Sequence, residues 1–281
     1  MNIRPTEKSN KNKRRWLPYA SYNLWQRVTP PIGKEKYHCD LKQRGFGKAR
    51  NKEEKVKQLL NQDSDPQRIG ILAQAGVYEF HKDISLLSHL DGVNKVAHIL
   101  NLSKESATVQ ARVLPILYNY YRKPILAAKN ILQLNRGDEG FPEPIAIKYG
   151  DYWFNLYAAI DCIFQEADGR LHILDLKTGK SDFDKRQAYV YLLATQYLYP
   201  DKQAIASFYN LETCQFSETI TATKEALQAV KIELAQISQQ HQKDLNNYRY
   251  NKEKFSTIFP PNPGFACNYC PFNSICEYSA V

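Results

Sequence analysis

The chain has 281 residues, of which 43% are hydrophobic and 24% are charged, a composition typical of globular proteins that bury a core. It contains no run of about 18 to 20 apolar residues, which excludes a membrane-spanning helix, and its basic start lacks the apolar centre of a secretory signal. Six cysteines are too few for a secreted disulfide scaffold, so we expect a cytoplasmic protein whose thiols stay reduced.

The positive charge is concentrated at the start of the chain. The net charge is +9, and residues 1–60 carry 16 Lys and Arg against 5 Asp and Glu. The rest of the chain carries 22 of the 38 basic and 24 of the 29 acidic residues, so it is slightly acidic. Such a basic block is either a solvated arm, most clearly over residues 10–15, or a surface that follows the phosphates of nucleic acid. Charge alone leaves both interpretations open.

Hydrophobic periodicity predicts a helical block followed by a mixed block of strands and helices. Asp65 and Pro66 are typical of a helix start, and the predicted helices of the first block cover residues 66–80, 84–90, 93–100, 108–121 and 124–134. The second block begins after residues 141–144, with predicted strands over 145–149, 152–164, 170–178, 204–211 and 213–220. Two further helices are predicted over residues 183–198 and 223–242.

Two aspartates interrupt the apolar strands of a central predicted hairpin. Asp161 and Asp175 each lie in an apolar run, where a carboxylate is costly unless it is paired or binds a metal ion. Lys177 is two residues after Asp175, so both side chains lie on one face of the strand. If residues 167–169 form a three-residue loop with Gly169 in the left-handed conformation, Asp161 lies directly opposite Asp175. A two-residue loop would separate the two carboxylates across the sheet.

Two carboxylates and a lysine on one face form a candidate site for Mg²⁺ or Mn²⁺, which prefer oxygen ligands and retain water. The lysine is suited to orienting an attacking water or to offsetting charge on a phosphate. The structural alternative is an internal salt bridge among Asp161, Asp175 and Lys177.

The hairpin resembles the PD-(D/E)XK nuclease superfamily, specifically its RecB-like branch. The run from Asp175 to Lys180 reads Asp-Leu-Lys-Thr-Gly-Lys, and the next predicted helix carries Gln187 and Tyr191 in a Gln-x-x-x-Tyr motif. The resemblance implies that Asp161, Asp175 and the carbonyl of Leu176 bind the metal ion and that Lys177 is catalytic. It also implies that Gln187 and Tyr191 position the DNA strand or the catalytic residues.

One element departs from the family pattern. The family usually carries Gly-x-x-x-His on an upstream helix, with the histidine reaching the metal ion, whereas here Gly70 is followed by Gln74. A glutamine carbonyl is a weaker ligand than imidazole, although it still accepts a water or coordinates a hard ion. Gln74 is therefore included among the candidate metal ligands.

Three cysteines near the end of the chain form a C-x2-C-x5-C pattern typical of a metal or cluster site. They are Cys267, Cys270 and Cys276, and Cys39 is our choice of fourth ligand over Cys162 and Cys214. The adjacent His38 is a competing ligand, and unliganded thiols or a structural Zn²⁺ are the alternatives. Some RecB-like nucleases pair one early cysteine with this C-terminal pattern, which implies a [4Fe–4S] cluster that joins the two ends of the chain.

The sequence thus predicts an α/β fold with a restriction-endonuclease-like core. We expect a mixed central sheet flanked by helices, a helical insertion and a cysteine-clamped C-terminus. The predicted organisation is one compact domain: a basic arm with the first cluster ligand (1–60), a helical region (61–140), a nuclease core (141–259) and a cysteine segment (260–281).

The predicted function is that of a deoxyribonuclease, with exonuclease activity on single strands or DNA ends. The resemblance includes CRISPR-associated RecB-like exonucleases and AddB-type recombination enzymes, which implies a protein partner in DNA repair or CRISPR adaptation and no membrane partner. The alternatives are an iron–sulfur nucleic-acid-binding protein with weakened catalysis, and an α/β domain with structural zinc and no nucleic-acid role.

Overall fold

The structure, a computed structural model, describes residues 17–61, 64–179 and 183–279. Residues 10–15, where the sequence predicts a solvated arm, and Lys180 of the hairpin motif lie outside the described residues. Within the described part, the strands are β1 (Tyr19–Ser21), β2 (Asn130–Leu134), β3 (Ile145–Tyr149), β4 (Tyr152–Tyr157), β5 (Cys162–Gln165), β6 (Leu171–Lys177), β7 (Ala204–Asn210) and β8 (Gln215–Phe216).

Most of the remaining residues are helical. The α-helices of the described part are α1 (Tyr22–Val28), α2 (Glu54–Leu60), α3 (Asp65–Lys82), α4 (Gly92–Ile99), α5 (Ala107–Arg122), α6 (Lys185–Leu198), α7 (Lys224–Tyr250) and α8 (Phe255–Ile258). A π-helix covers Leu41–Ala49, and short 3₁₀ helices cover Glu35–Tyr37, Ile84–Leu87, Leu102–Lys104, Lys252–Lys254, Phe265–Tyr269 and Asn273–Ile275. None of the described helices has the length and apolar character needed to cross a membrane.

The strands form two mixed sheets, which confirms the predicted mixed α/β fold flanked by helices. The smaller sheet has the order β1-β4-β3 and the larger sheet has the order β2-β5-β6-β7-β8. Strands β6 and β7 run parallel and are joined through α6, whereas β5 and β6 form an antiparallel hairpin. The hairpin therefore lies at the centre of the larger sheet, where helices pack on both of its faces.

Alternating side chains of the larger sheet enter two hydrophobic cores. Ile163 and Ile173 face a core that also contains residues of α1, α6, α7 and the smaller sheet. Phe164 and Leu174 face a second core formed with α3, α4 and α5. Because side chains alternate along a strand, Asp175 shares the face of Ile173 and is directed towards α6.

The sequence prediction of one strand over residues 152–164 is wrong. The chain forms β4 in the smaller sheet and β5 in the larger sheet, and the segment between them passes from one sheet to the other. The Asn135 side chain donates to the Ile160 carbonyl at 2.7 Å, and its backbone N–H donates to the Asp161 carbonyl at 2.8 Å. These bonds satisfy backbone carbonyls at the crossing, which a local pattern of apolar residues does not reveal.

Other predictions also need correction. No helix covers residues 124–134, because Asn130–Leu134 pairs as an edge strand with Cys162–Gln165, and the paired residues are 28 to 35 positions apart in the chain. The predicted helix over 84–90 is a single 3₁₀ turn, and the predicted strand over 213–220 is reduced to Gln215–Phe216. Helix α3 is capped by Ser64 rather than Asp65, with Gln67 accepting from the Ser64 backbone N–H at 3.2 Å.

Candidate active site

The hairpin register brings the two aspartates together. Cys162 pairs with Leu174 and Gln165 with Leu171, which is the register that the three-residue loop predicts. Gly169 has a φ of 87°, in the left-handed region, as expected for this loop. Continued by one residue, the register places Asp161 opposite Asp175, at the end of the strands.

Asp161 is fixed by the backbone of the facing strand. One of its carboxylate oxygens, Oδ2, accepts the Leu176 N–H at 2.8 Å. This bond orients the carboxylate towards the end of β6, beside the residue whose carbonyl was predicted as a metal ligand. Asp175 is 3% exposed, and Asp161 is half-buried.

Lys177 and Gln187 connect the strand to helix α6. Lys177 Nζ lies 2.5 Å from Asp175 Oδ2 and donates to Gln187 Oε1 at 3.0 Å. The amide nitrogen of Gln187 donates to Asp175 Oδ1 at 2.8 Å. One glutamine therefore holds both the carboxylate and the ammonium of the predicted site.

Tyr191 extends this network by one helical turn. Its hydroxyl lies 2.8 Å from Gln187 Nε2 and donates to the Ala159 carbonyl at 2.6 Å. Residues four apart on a helix lie on one face, so Gln187 and Tyr191 present a single polar stripe to the hairpin. Tyr191 is 5% exposed, and its hydroxyl links α6 to the segment that leads into Asp161.

Burial and mutual repulsion act on the acidic pair. Burial, followed by the negative charge of Asp175, raises the pKa of Asp161 above its usual range. Burial also raises the pKa of Asp175, while the ammonium of Lys177 opposes this effect. Two carboxylates that share a buried site favour a bound cation, because the cation offsets both charges.

The donor set at the hairpin fits a hard divalent cation. It comprises two carboxylates and the neighbouring backbone carbonyl of Leu176, all oxygen donors of the kind that Mg²⁺ and Mn²⁺ prefer. Among the described residues, no group of three or more His, Cys, Asp or Glu side chains is arranged to hold a metal ion. Any cation at Asp161 and Asp175 therefore needs backbone carbonyl, water or substrate oxygens to complete its ligand set.

Gln74 lies at the same site, but its amide nitrogen faces the protein acceptors. Nε2 donates to the Asn135 carbonyl at 3.1 Å, and a side-chain hydrogen bond from Gln74 lowers the pKa of Asp161. Gly137, with a φ of 93°, lets the following loop lie against Gln74, since a Cβ there would be 2.7 Å from Gln74 Oε1. Gln74 thus acts as a hydrogen-bond donor to Asp161. To bind a cation, its side-chain amide would have to flip so that the oxygen faces the site.

The four predicted cluster cysteines surround one cavity. Cys39, Cys267, Cys270 and Cys276 all line it, and none of them forms a disulfide. Burial raises the pKa of Cys270, and the charges of Cys39 and Cys276 raise it further, so these thiols lie close to one another. The other two cysteines are elsewhere: Cys162 is fully buried in the core, and Cys214 lies in a turn with a φ of 56° rather than in the predicted strand.

Hydrogen bonds join the two segments that carry these cysteines. The Asn262 N–H donates to Cys39 Sγ at 3.4 Å, and its side chain donates to the His38 carbonyl at 2.7 Å. The Leu41 N–H donates to the Pro260 carbonyl at 3.2 Å, and a small core contains Leu41 and Phe272. The segment around Cys39 is therefore attached to the C-terminal segment across more than 200 residues of chain.

Four thiols around one cavity provide sulfur donors of the kind that both Zn²⁺ and iron–sulfur clusters use.

Some residues near the site were not identified from the sequence. Asn135 binds the backbone next to Asp161, and an open groove beside Lys177 is also lined by Lys34, Lys185 and Arg186. These residues come from segments far apart in the chain and carry no motif. Only a general excess of basic residues in the first 60 positions indicates part of this surface.

Comparison with known proteins identifies a family to which the sequence is similar. Over residues 49–277, the sequence matches the PD-(D/E)XK nuclease superfamily. The crystal structure of SSO0001 is similar at 14% sequence identity with a TM-score of 0.28, over 81% of this chain and 94% of that chain. No curated protein matches this chain.

Proposed function

The chain belongs to the PD-(D/E)XK nuclease superfamily, and from this premise we propose that it is a metal-dependent deoxyribonuclease of the RecB-like branch. It hydrolyses phosphodiester bonds in single-stranded DNA or at DNA ends, in repair, recombination or CRISPR adaptation. The observation that carries the proposal is the convergence of Asp161, Asp175 and Lys177, joined by Gln187. A simple internal salt bridge would need only one carboxylate for one lysine, whereas here a second buried carboxylate lies opposite.

Asp161, Asp175 and the Leu176 carbonyl would hold Mg²⁺ or Mn²⁺. The bound ion would supply positive charge to the phosphate and acidify a bound water. Lys177 is 30% exposed and lies beside Asp175, so its ammonium is available to orient the attacking water or to offset charge that develops on the phosphate. Gln187 keeps this ammonium and the Asp175 carboxylate in one arrangement, and Tyr191 fixes Gln187.

Cleavage of labelled DNA tests this proposal. Linear single strands, circular single strands and an RNA of the same sequence are incubated with Mn²⁺ and the purified protein. We expect cleavage of linear DNA and resistance of the circle. Lys177→Ala should reduce the rate by about a hundredfold or more, because charge stabilisation at the phosphate is lost.

Lys148→Ala is the matched control, since Lys148 is an exposed lysine on β3, away from the hairpin. It should cut like wild type. Wild-type rates in Lys177→Ala would contradict the proposed role of Lys177, and absence of cleavage by the wild-type protein would contradict the nuclease proposal itself. Cleavage of the circular strand would show that the protein is an endonuclease rather than an exonuclease, because a circle has no ends.

We also propose that Cys39, Cys267, Cys270 and Cys276 bind a [4Fe–4S] cluster. The supporting observation is that all four thiols line one cavity between two segments that are already hydrogen bonded to each other. Anaerobically purified protein should be coloured and contain iron and sulfide, and Cys270→Ser should lose both. Cys214→Ser is the control and should retain them, whereas a colourless protein with stoichiometric zinc would contradict the cluster.

A second candidate function is an iron–sulfur nucleic-acid-binding protein with weakened catalysis. It is favoured by one observation, that Gln74 directs its amide nitrogen rather than an oxygen towards its acceptors at the site. In this case the wild-type protein binds single-stranded DNA but does not cut it. Gln74→His, which restores the usual family residue, should then increase cleavage.

A further inference from the structure

A second pocket adjoins the candidate active site at Gln187 and Tyr191 of α6. Gln187 and Tyr191 form part of its wall, and Tyr19, Arg27, Lys48 and His241 line the rest. These residues come from the start of the chain, the π-helix and α7. The pocket therefore shares two side chains with the network around Asp175 but is built mainly from other elements.

The pocket contains two positive charges without an acidic partner among the described residues. Neither Arg27 nor Lys48 forms a salt bridge there, and the nearby carboxylates of Asp40 and Asp244 are both taken by Arg44. Burial, followed by repulsion from Arg27, lowers the pKa of Lys48 to about 8. Two like charges held close together in a partly buried pocket repel each other, and a bound anion would offset both of them.

Unpaired polar groups lie beside these charges. Both ring nitrogens of His241 and the hydroxyl of Tyr19 are buried without a hydrogen-bond partner, and the His241 side chain is almost fully buried. Their rings pack edge to face with centroids 5.6 Å apart, and Lys48 Nζ lies 5.5 Å from the Tyr19 ring centroid. Buried donors of this kind normally have a partner, so their presence here points to a ligand.

We infer that this pocket binds one phosphate group of the substrate strand, adjacent to the phosphate that is cleaved at Asp161 and Asp175. The inference rests on the proposed function and adds a substrate contact to it. Arg27 and Lys48 supply the charge, and Tyr19 and His241 supply further donors. Since Gln187 and Tyr191 line the pocket and also bind the catalytic network, a strand anchored here passes directly into the carboxylate site.

Binding without cleavage tests the pocket separately from catalysis. The affinity of a labelled single-stranded oligonucleotide is measured without divalent cations over a range of salt concentrations. Arg27→Gln and Lys48→Gln should each weaken binding by about tenfold and reduce the salt slope by about 0.7, the value for one lost phosphate contact on a single strand. Lys55→Gln makes an equal charge change on the exposed face of α2 and should alter the affinity and the salt slope much less.

A second measurement locates the phosphate. Single methylphosphonate linkages, which remove one backbone charge, are placed along the oligonucleotide, and terminal phosphates are removed in separate samples. In the wild-type protein we expect one position to weaken binding, and in Lys48→Gln the same position should have no further effect. A sensitive internal position identifies a phosphodiester as the ligand, and a sensitive end identifies a terminal phosphate.

Thermal melting of Lys48→Gln guards against a folding artefact, because a loss of binding that results only from the lost charge should leave its melting temperature no lower than that of wild type. The inference is overturned if no single phosphate shows coupling to Lys48, or if Lys55→Gln matches Lys48→Gln. Protein that binds with this pattern but does not cut DNA would refute the nuclease proposal and leave the phosphate pocket standing.

Discussion

At the scale of single residues, the site concentrates charge where burial makes it costly. Asp161 and Asp175 face each other across the hairpin, and one lysine offsets only part of their charge. The phosphate pocket shows the opposite imbalance, with Arg27 and Lys48 lacking acidic partners in the described part of the chain. The two imbalances are of opposite sign and adjoin each other at Gln187 and Tyr191, which suits a divalent cation at the carboxylates and an anion in the pocket.

The buried carboxylate pair should reduce stability in the absence of metal. Asp161→Asn keeps an oxygen that accepts the Leu176 N–H but removes one negative charge. We expect it to raise the free energy of unfolding by about 1–2 kcal/mol in chelator, because repulsion and desolvation of the charge are relieved. Urea denaturation measures this. Asp168→Asn, in the exposed hairpin loop, is the control, and equal effects of the two changes would contradict the explanation.

His241 should make stability depend on pH. Burial and three nearby positive charges lower its pKa to about 3, so it stays neutral in the folded protein while the unfolded chain takes up a proton below about pH 6.5. Its contribution is therefore complete above pH 6.5 and is lost as the pH falls towards 3. Between pH 7 and pH 5 this amounts to about 2 kcal/mol.

His241→Leu should flatten this part of the curve when unfolding free energies of the two proteins are compared by denaturant titration. His98→Leu, at an exposed position of α4, should leave the curve unchanged. Parallel pH curves for wild type and His241→Leu would show that His241 does not carry the effect.

At the scale of elements, α6 acts as the support of the hairpin. Its residues Gln187 and Tyr191 each contact groups on or just before the two strands, so the helix sets the distance between Lys177 and Asp175. The helix is positioned by the parallel pairing of β6 and β7, which it connects. The geometry of the charged groups thus depends on a crossover connection as well as on the hairpin.

We therefore expect Gln187→Ala to lower kcat by about a hundredfold with little change in KM, because it releases both Lys177 and Asp175 from their shared partner. Single-strand cleavage assays with Mn²⁺ measure both constants. Gln196→Ala, on an exposed position of the same helix, should behave like wild type. An increase in KM alone would instead assign Gln187 to substrate binding.

At the scale of the whole molecule, the segment around Cys39 and residues 260–279 meet around the cysteine cavity. The segment around Cys39 is hydrogen bonded to Asn262, and Phe46 of the π-helix stacks on Phe272 with centroids 5.0 Å apart. Arg44, also in the π-helix, joins Asp40 to Asp244 of α7. The π-helix also carries Lys48, so these contacts also support one wall of the phosphate pocket.

Loss of the proposed cluster should accordingly destabilise the segment around Cys39 and the C-terminal segment together. Under the proposed cluster, Cys276→Ser should lower the melting temperature by several degrees and expose residues 38–60 and 260–279 to proteolysis at the same time. Limited proteolysis followed by mass spectrometry identifies the cut positions. Cys214→Ser provides the comparison, and cleavage confined to the C-terminal segment would show that the cluster does not join the ends.

The local sequence predicted the hairpin and the order of the charged groups on it, because Asp161, Gly169, Asp175 and Lys177 are close in the chain. It left two registers open, one for each loop length, and the structure has the register of the three-residue loop. The Gln187 and Tyr191 pair was also predictable, since a helical spacing of four needs no tertiary information. The C-terminal cysteine pattern was also predictable, because three of its members lie within ten residues.

The distant segments that complete these local arrangements were set by packing in three dimensions. Asn130–Leu134 became a strand because a partner was available, and the apolar run over 152–164 divided because its two halves pair in different sheets. The amide orientation of Gln74, the meeting of Cys39 with the C-terminal cysteines and the pocket around Lys48 depend on contacts between residues far apart in the chain. Such contacts leave no periodic signal in a sequence, because they are fixed by packing and charge compensation in three dimensions.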